Sequence, residues 1–334
     1  MKPNDTEVLS PLSPQSPIHV LLCTDARFAP YCGVTVTSVL ENAGGHHTVV
    51  HIFTDGMSRD DIWRFKQLEH RYDCRIDIRT LSESELSHLP RQFKQWPAAS
   101  FMRLLAARML SADVSKIIYI DCDCIVDTPL VELWSQCLDD KPCAAIADGP
   151  NDAMHQQRVA ALKIAGTYFN SGVMIFDLTA MRECGVLEDA LRTLNSPGCR
   201  FQCPDQDVLN ILLSDQCKLL PITYNLQSSH LLRDRDMQSN DTELLINQIL
   251  NRKARAIIHY TSELKPWSTN LRNWHPLRHI WHKYRRLSPW RDKARPDIGW
   301  RTRFAFWRLA SAYRYFGRGF YAPIWKHHNI NTRH

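Results

Sequence analysis

The feature that most restricts the fold is an alternation of short apolar runs with helical patterns through the first third of the chain. His19-Val20-Leu21-Leu22-Cys23 is an apolar run ending in Thr24-Asp25. Tyr31 to Asn42 comes next, with Val34, Val36, Val39 and Leu40 at helical spacing. Val49 to Phe53 is a second run, closed by Thr54-Asp55-Gly56, after which Ser58 stands as an N-cap for a helix through Trp63, Phe65 and Leu68. Arg75 to Thr80, with Ile76 and Ile78 alternating, reads as a third strand. Such steps predict parallel strands joined by right-handed crossovers, hence an α/β sheet with covered faces. Ligands of these sheets sit beyond the carboxyl ends of the strands.

A helix is expected over Ser100 to Leu110, then a fully apolar strand, Lys116-Ile117-Ile118-Tyr119-Ile120, of the buried kind. Further strands are expected at Cys143 to Ala147, Ser171 to Phe176 and Ala256 to His259, with helices at Leu187 to Leu194 and Gln206 to Leu213. Residues 1–17 hold four prolines and no apolar core of a signal peptide, so they read as a disordered leader. No run approaches the roughly 20 apolar residues of a spanning helix. The 11 cysteines are scattered and follow no export signal, which points to reduced thiols in a cytosolic compartment. Cys122/Cys124 and Cys199/Cys203 lack the second ligand pair of a structural zinc site.

The buried strand delivers the chain into Asp121-Cys122-Asp123. Two carboxylates two residues apart project to one side of extended backbone, so both can reach one divalent ion. Burying them without a cation would cost several kcal/mol, on the order of the penalty per unpaired ion. Read alone, the same triplet is equally a solvated turn at a strand end. Its company is Phe169-Asn170-Ser171-Gly172-Val173-Met174-Ile175-Phe176-Asp177-Leu178, then Pro204-Asp205-Gln206-Asp207-Val208-Leu209-Asn210, then Ile258-His259-Tyr260 with Lys265-Pro266-Trp267.

In that order, with Thr24-Asp25 upstream, these segments resemble the retaining glycosyltransferases of family 8, which include bacterial lipopolysaccharide galactosyl- and glucosyltransferases and glycogenin. The resemblance covers roughly residues 18–270, and the transferase domain is expected over 18–271. It implies a GT-A type, Rossmann-like mixed sheet flanked by helices, and a basic, mainly helical C-terminal extension. It also implies a Mn²⁺, with Mg²⁺ as the substitute, held by Asp121, Asp123 and His259 across the diphosphate of a nucleotide sugar. Mixed carboxylate and imidazole ligation suits Mn²⁺ better than Ca²⁺. By the same resemblance Thr24 and Asp25 face uridine, Arg103 faces both sugar and phosphate, Lys265 contacts the leaving phosphate, and Asp148, Asn170, Ser171, Asp205 and Gln206 surround the donor sugar. Gln206 stands opposite the leaving group, where an amide is a poor nucleophile. Without the resemblance, His259 reads as a core histidine, Asp25 and Asp205 as helix caps, and Arg103 and Gln206 as surface side chains. The segment Thr261-Ser262-Glu263-Leu264 departs from the family, whose members often carry Gly there. Ser262 retains a hydroxyl that can reach the diphosphate.

Charge separates the chain into two parts. Residues 272–334 contain 15 Lys or Arg against 2 Asp or Glu, and 14 of the 32 aromatic residues. Residues 1–271 carry 26 basic against 33 acidic side chains. From Trp300 to Lys326, arginines and aromatics interleave at near-helical spacing, which suits an amphipathic element on an anionic membrane; a packing subdomain or dimer contact fits the same pattern. No recognised nucleic-acid-binding module stands in the sequence, and nucleic acid is not an expected partner.

The sequence therefore reads as a transferase that moves glucose or galactose from UDP-glucose or UDP-galactose to a lipopolysaccharide outer-core acceptor. An α-linkage is expected, at the cytoplasmic face of the inner membrane. Two other readings stay open: a family 8 enzyme with a soluble glucan, wall glycan or protein acceptor, and a non-catalytic binder of UDP-sugar or anionic polymer.

Overall fold

The computed structural model describes residues 17–90, 92–93, 96–149, 153–196, 201–232, 240–270, 274–293 and 300–316. The expected leader, apart from Pro17, and the tail beyond 316 lie outside them. The chain begins as the sequence pattern requires: β1 (Ile18–Thr24), α1 (Ala29–Glu41), β2 (Thr48–Thr54), α2 (Arg59–Tyr72) and β3 (Arg75–Thr80). Ser58 caps α2, its hydroxyl accepting from the Asp61 amide at 3.1 Å. Strand β4 (Lys116–Ile120) lies parallel to β1 on the side away from β2.

The order is β3-β2-β1-β4-β7-β6-β8, with β6 (Cys143–Ala147), β7 (Phe169–Asp177) and β8 (Cys217–Leu219) completing the large sheet. Strand β7 runs antiparallel to both neighbours, so the sheet is mixed. Because β2 and β4 leave β1 in opposite directions, a crevice opens at the carboxyl ends of β1 and β4, the usual ligand position in such sheets. A small second sheet, β5-β10-β9, stands beyond it. It comprises β5 (Cys124–Val126), β9 (Leu226–Gln227) and β10 (Ile257–His259).

The segment expected as a helix over 100–110 is wound more tightly. Two 3₁₀ turns, Ala98–Ser100 and Met102–Leu105, precede a single α-turn, Ala106–Met109. Arg103 folds back onto the Ser100 carbonyl and sends its guanidinium inward to the sheet, so its side chain is buried.

Apolar residues fill both sheet faces. One face packs Val34, Val36 and Val39 of α1 and Phe65 of α2 on Val20, Leu22, Ile118 and Ile120. The other packs Met102, Leu104 and Leu105 with Leu21, Phe53 and Tyr119. Residues 274–293, grouped by composition with the extension, contribute Trp274, Trp281, Tyr284 and Trp290 to the first core. Trp290 lies over Gly33 of α1, where an added Cβ would come within 2.3 Å of its ring, and donates to Asp61 at 2.7 Å. Two further helices, Arg278–Leu287 and Trp300–Phe316, end the described chain. Phe306 in the last is buried beneath Arg278, whose guanidinium carbon is 3.8 Å from the ring centre. No helix among the described residues is long and apolar enough to cross a membrane, and the described cysteines are free thiols.

Candidate active site

Every residue that the sequence singled out lines one cavity of about 860 Å³ at the crevice between the sheets. Thr24 ends β1, buried; Asp25 accepts from the amides of Arg27 and Phe28 at 2.9 and 2.8 Å, closing the turn into α1. Asp25 therefore works as a turn-former and still borders the cavity.

Asp121 follows β4, its amide bound to the Gly172 carbonyl at 2.8 Å. The turn that carries Asp123 is pinned from α1, where the Thr35 hydroxyl stands 2.8 Å from the carbonyls of both Cys122 and Cys124. Across the crevice, β10 delivers His259. Its Nε2 lies 3.2 Å from Asp123 Oδ1 and 3.8 Å from Asp121 Oδ2. Gly172 makes room for this approach: a Cβ there would fall 2.1 Å from His259 Cε1 and 2.8 Å from Asp121 Oδ2. Two carboxylates and an imidazole converging over a glycine are a donor set that fits a divalent cation with mixed O and N preference. The Cys124 thiol is also within 4.8 Å of the Asp123 and His259 donor atoms, but burial and the two carboxylates push its pKa well up, which keeps it a thiol.

Lys265 Nζ donates to Asp123 Oδ2 at 2.5 Å and to the Tyr260 carbonyl at 2.6 Å. Burial alone would raise the Asp123 carboxyl; Lys265 and His259 outweigh it and hold the group ionised, well below the usual carboxylate range. Ser262, two residues before Leu264, adopts φ +58°, the left-handed region that favours glycine.

Arg103 is buried, and its donors are spent on protein groups: the Ser171 carbonyl at 2.7 Å, Asp121 Oδ1 at 2.8 Å and Asp205 Oδ2 at 3.2 Å. Burial would lower its pKa, but Asp121, Tyr119 and Asp205 keep it firmly protonated. Burial likewise raises the Asp205 carboxyl, with Arg103 pulling the other way. Tyr119, unassigned from sequence, donates to Asp121 Oδ1 at 2.6 Å.

The group of Asp148, Asn170, Ser171 and Gln206 assembles around a register slip. Between Ala145 and Ile146 the partners on β7 jump from Met174 to Asn170, which takes the amides of Ser171 and Gly172 out of the ladder with β6. Side chains take them up: Gln206 Oε1 accepts from Ser171 N–H at 3.0 Å, and Asn170 Oδ1 from Gly172 N–H at 3.0 Å. The two amides then have fixed orientations. Asn170 Nδ2 donates to Asp148 Oδ1 and Gln206 Oε1, both at 3.2 Å, and Gln206 Nε2 donates to Asp148 Oδ2 at 3.2 Å. Sequence reasoning missed what lies behind. Tyr168 donates to the fully buried Asp207 at 2.6 Å, Arg158 donates to the same oxygen at 3.0 Å, and Asp207 caps the turn before Gln206 through the amides of Gln202 and Cys203. It also missed Asn225 and Gln227, which carry no local motif.

The family profile described as "Glycosyl transferase family 8" matches residues 19–270. The lipopolysaccharide glucosyltransferase WaaO of Escherichia coli K12 is 30% identical over 308 residues, covering 89% of this chain and 86% of that one. The lipopolysaccharide 1,3-galactosyltransferase of Salmonella typhimurium is 26% identical over 80% of this chain and 77% of its own. Among solved structures, the galactosyltransferase LgtC in complex with donor and acceptor sugar analogs superposes with a TM-score of 0.66 at 17% identity, over 86% of this chain and 100% of that chain. The fold is thus of the GT-A type, and with a family match spanning most of its length, the chain belongs to glycosyltransferase family 8.

Proposed function

We propose that the protein transfers glucose or galactose from a UDP-sugar to a lipopolysaccharide outer-core acceptor with retention, making an α-linkage, in a Mn²⁺-dependent reaction. The observation that carries this reading is the convergence of Asp121, Asp123 and His259 on one wall of the cavity with Asp148, Asn170, Asp205 and Gln206 on the other. The names of the relatives supply the acceptor class.

In this reading Asp121, Asp123 and His259 hold the divalent ion, which when bound neutralises charge on the diphosphate. Thr24 and Asp25 border the uridine end. Lys265 exchanges part of its contact with Asp123 for the departing phosphate, and Ser262 offers its hydroxyl there. Arg103 acts through Asp121, Asp205 and Ser171, fixing the floor between the metal side and the sugar side. Gln206 Oε1 is already engaged by the Ser171 amide and by Asn170, so its lone pairs are not free to form a covalent adduct. A front-face route results. The acceptor hydroxyl oxygen bonds to the anomeric carbon on the side from which the carbon–oxygen bond to UDP breaks, and the hydroxyl proton leaves on a phosphate oxygen.

The last described helix supports a place for the reaction at an anionic membrane surface. Phe304 and Trp307 are 56% and 63% exposed and stacked at 5.8 Å, with Arg308 exposed beside them. A donor screen with UDP-glucose and UDP-galactose against purified core oligosaccharide, with the product anomer read by NMR, tests the proposal. Transfer from one donor into an α-linkage is expected; a β-linked product overturns retention, and transfer only to a soluble glucan or peptide overturns the acceptor.

A further inference from the structure

The cavity lies between the two sheets, and two buried amides from one short segment at the small sheet reach across to the large one. Asn225 is fully buried and Gln227 is 2% exposed, just before and within β9 of the small sheet. Strand β9 runs parallel to β10, with Gln227 in register with His259.

Asn225 reaches both ways. Its Nδ2 donates to Asn170 Oδ1 at 2.8 Å, an oxygen identified as the acceptor because it also receives the Gly172 N–H. That leaves Asn225 Oδ1 facing His259 Nδ1 at 3.0 Å, so His259 donates from Nδ1 and turns Nε2, the nitrogen that would ligate a cation, toward Asp123 and Asp121. Gln227 makes the second crossing. Its Oε1 accepts from Gly149 N–H at 3.1 Å, and its Nε2 donates to the Ala147 carbonyl at 3.3 Å. Those two bonds flank Asp148, whose carboxylate holds Asn170 and Gln206. Gly149 is packed so closely that an added Cβ would lie 2.4 Å from Ser229 Oγ.

We propose that Asn225 and Gln227 are positioning residues for sugar transfer, a bracket that sets the placement of the sugar-side wall against His259. The proposal rests on the function given above. Asn225 has a second effect that Gln227 lacks, since it alone fixes the imidazole tautomer.

Three variants separate these effects: Gln227→Met, which keeps volume and removes both hydrogen bonds; Asn225→Asp, which keeps the acceptor for His259 and loses the donor to Asn170; and Asn225→Leu, which loses both. Mn²⁺ affinity is read by electron paramagnetic resonance without nucleotide, UDP and UDP-hexose affinity by calorimetry, and kcat and KM by product formation. Gln227→Met is expected to keep UDP affinity within about twofold while kcat falls about tenfold or more, as misplaced reacting groups require. Asn225→Asp is expected to keep Mn²⁺ affinity and lose kcat in the same way. Asn225→Leu is expected to weaken Mn²⁺ about 10- to 100-fold. Kinetic constants within twofold of an active wild type in Gln227→Met and Asn225→Asp overturn the proposal. So does a parallel loss of UDP binding and thermal stability in all three, which marks a merely structural role. A folded wild type that binds no UDP-hexose overturns the function as well.

Discussion

At the scale of single residues, the site is built by giving its carboxylates and its freed backbone amides defined partners. Asp121 receives Tyr119 and Arg103, Asp123 receives Lys265, and the amides released by the slip between β6 and β7 are taken up by Gln206 and Asn170. Ser262, exposed at the edge of the cavity, carries backbone strain. It holds φ +58° without the freedom of glycine, and a non-glycine residue in that region carries about 1 kcal/mol of strain. Ser262→Gly is expected to leave the midpoint of urea unfolding unchanged or to raise stability by up to about 1 kcal/mol, and Ser262→Val to lower it by more than that; a clearly less stable glycine variant contradicts the strain. The motif residues were legible because their chemistry is local: an Asp pair after a buried strand, an Asn-Ser-Gly, an Asp-Gln opening a helix. Asn225 and Gln227 were not, because their meaning lies in contacts to Asn170, His259 and Gly149 that no spacing within 222–230 encodes.

At the scale of elements, strands announced by apolar runs appear where the pattern puts them: β1, β2, β3, β4, β6, β7 and β10. The missed strands, β5, β8 and β9, are two or three residues long, too short to show a period. The antiparallel pairing of β7 with β4 was equally hidden, since a run buried on both faces reads the same in either direction. Strands β1 and β2 also carry a titratable pair. His19 and His51 stack at 5.3 Å and share a 3.0 Å hydrogen bond near the start of the sheet, away from the crevice. Burial and the neighbouring His19 push His51 down to about 4 from an ordinary 6.5. The unfolded chain therefore takes up this proton first as pH falls. The stability is full above about pH 6.5 and is lost as pH drops toward 4, with about 2 kcal/mol gone by pH 5. Urea unfolding at pH 7.5 and pH 5 is expected to show that loss, and His51→Gln to reduce it. An unchanged pH dependence in the variant assigns the acid sensitivity elsewhere.

At the scale of the whole molecule, charge and burial divide the chain differently. Composition set 272–334 apart, and among its described residues the Lys and Arg side chains are largely at the surface while Trp281, Tyr284 and Trp290 sit fully in the core. Sequence counts cannot tell a buried tryptophan from an exposed one, and long basic side chains around it hide the difference. Trp290→Ala is expected to cost about 3–5 kcal/mol in chemical unfolding; a loss under about 1 kcal/mol contradicts its place against Gly33. The membrane role proposed for this region then falls to residues 300–334. Co-sedimentation of the full chain with anionic vesicles is expected to drop severalfold in a Phe304→Ala/Trp307→Ala variant at unchanged thermal stability, and equal partitioning removes the membrane surface from the proposed function. In the proposed function the cavity transfers a sugar from a UDP donor through Asp121, Asp123 and His259. UDP release from UDP-glucose and UDP-galactose, with Mn²⁺ and after chelation, in wild type and Asp123→Ala, tests it most directly. Metal-dependent release by the wild type is expected, with a fall of about 100-fold or more in a folded Asp123→Ala protein; unimpaired turnover by that variant in metal-free buffer would contradict it.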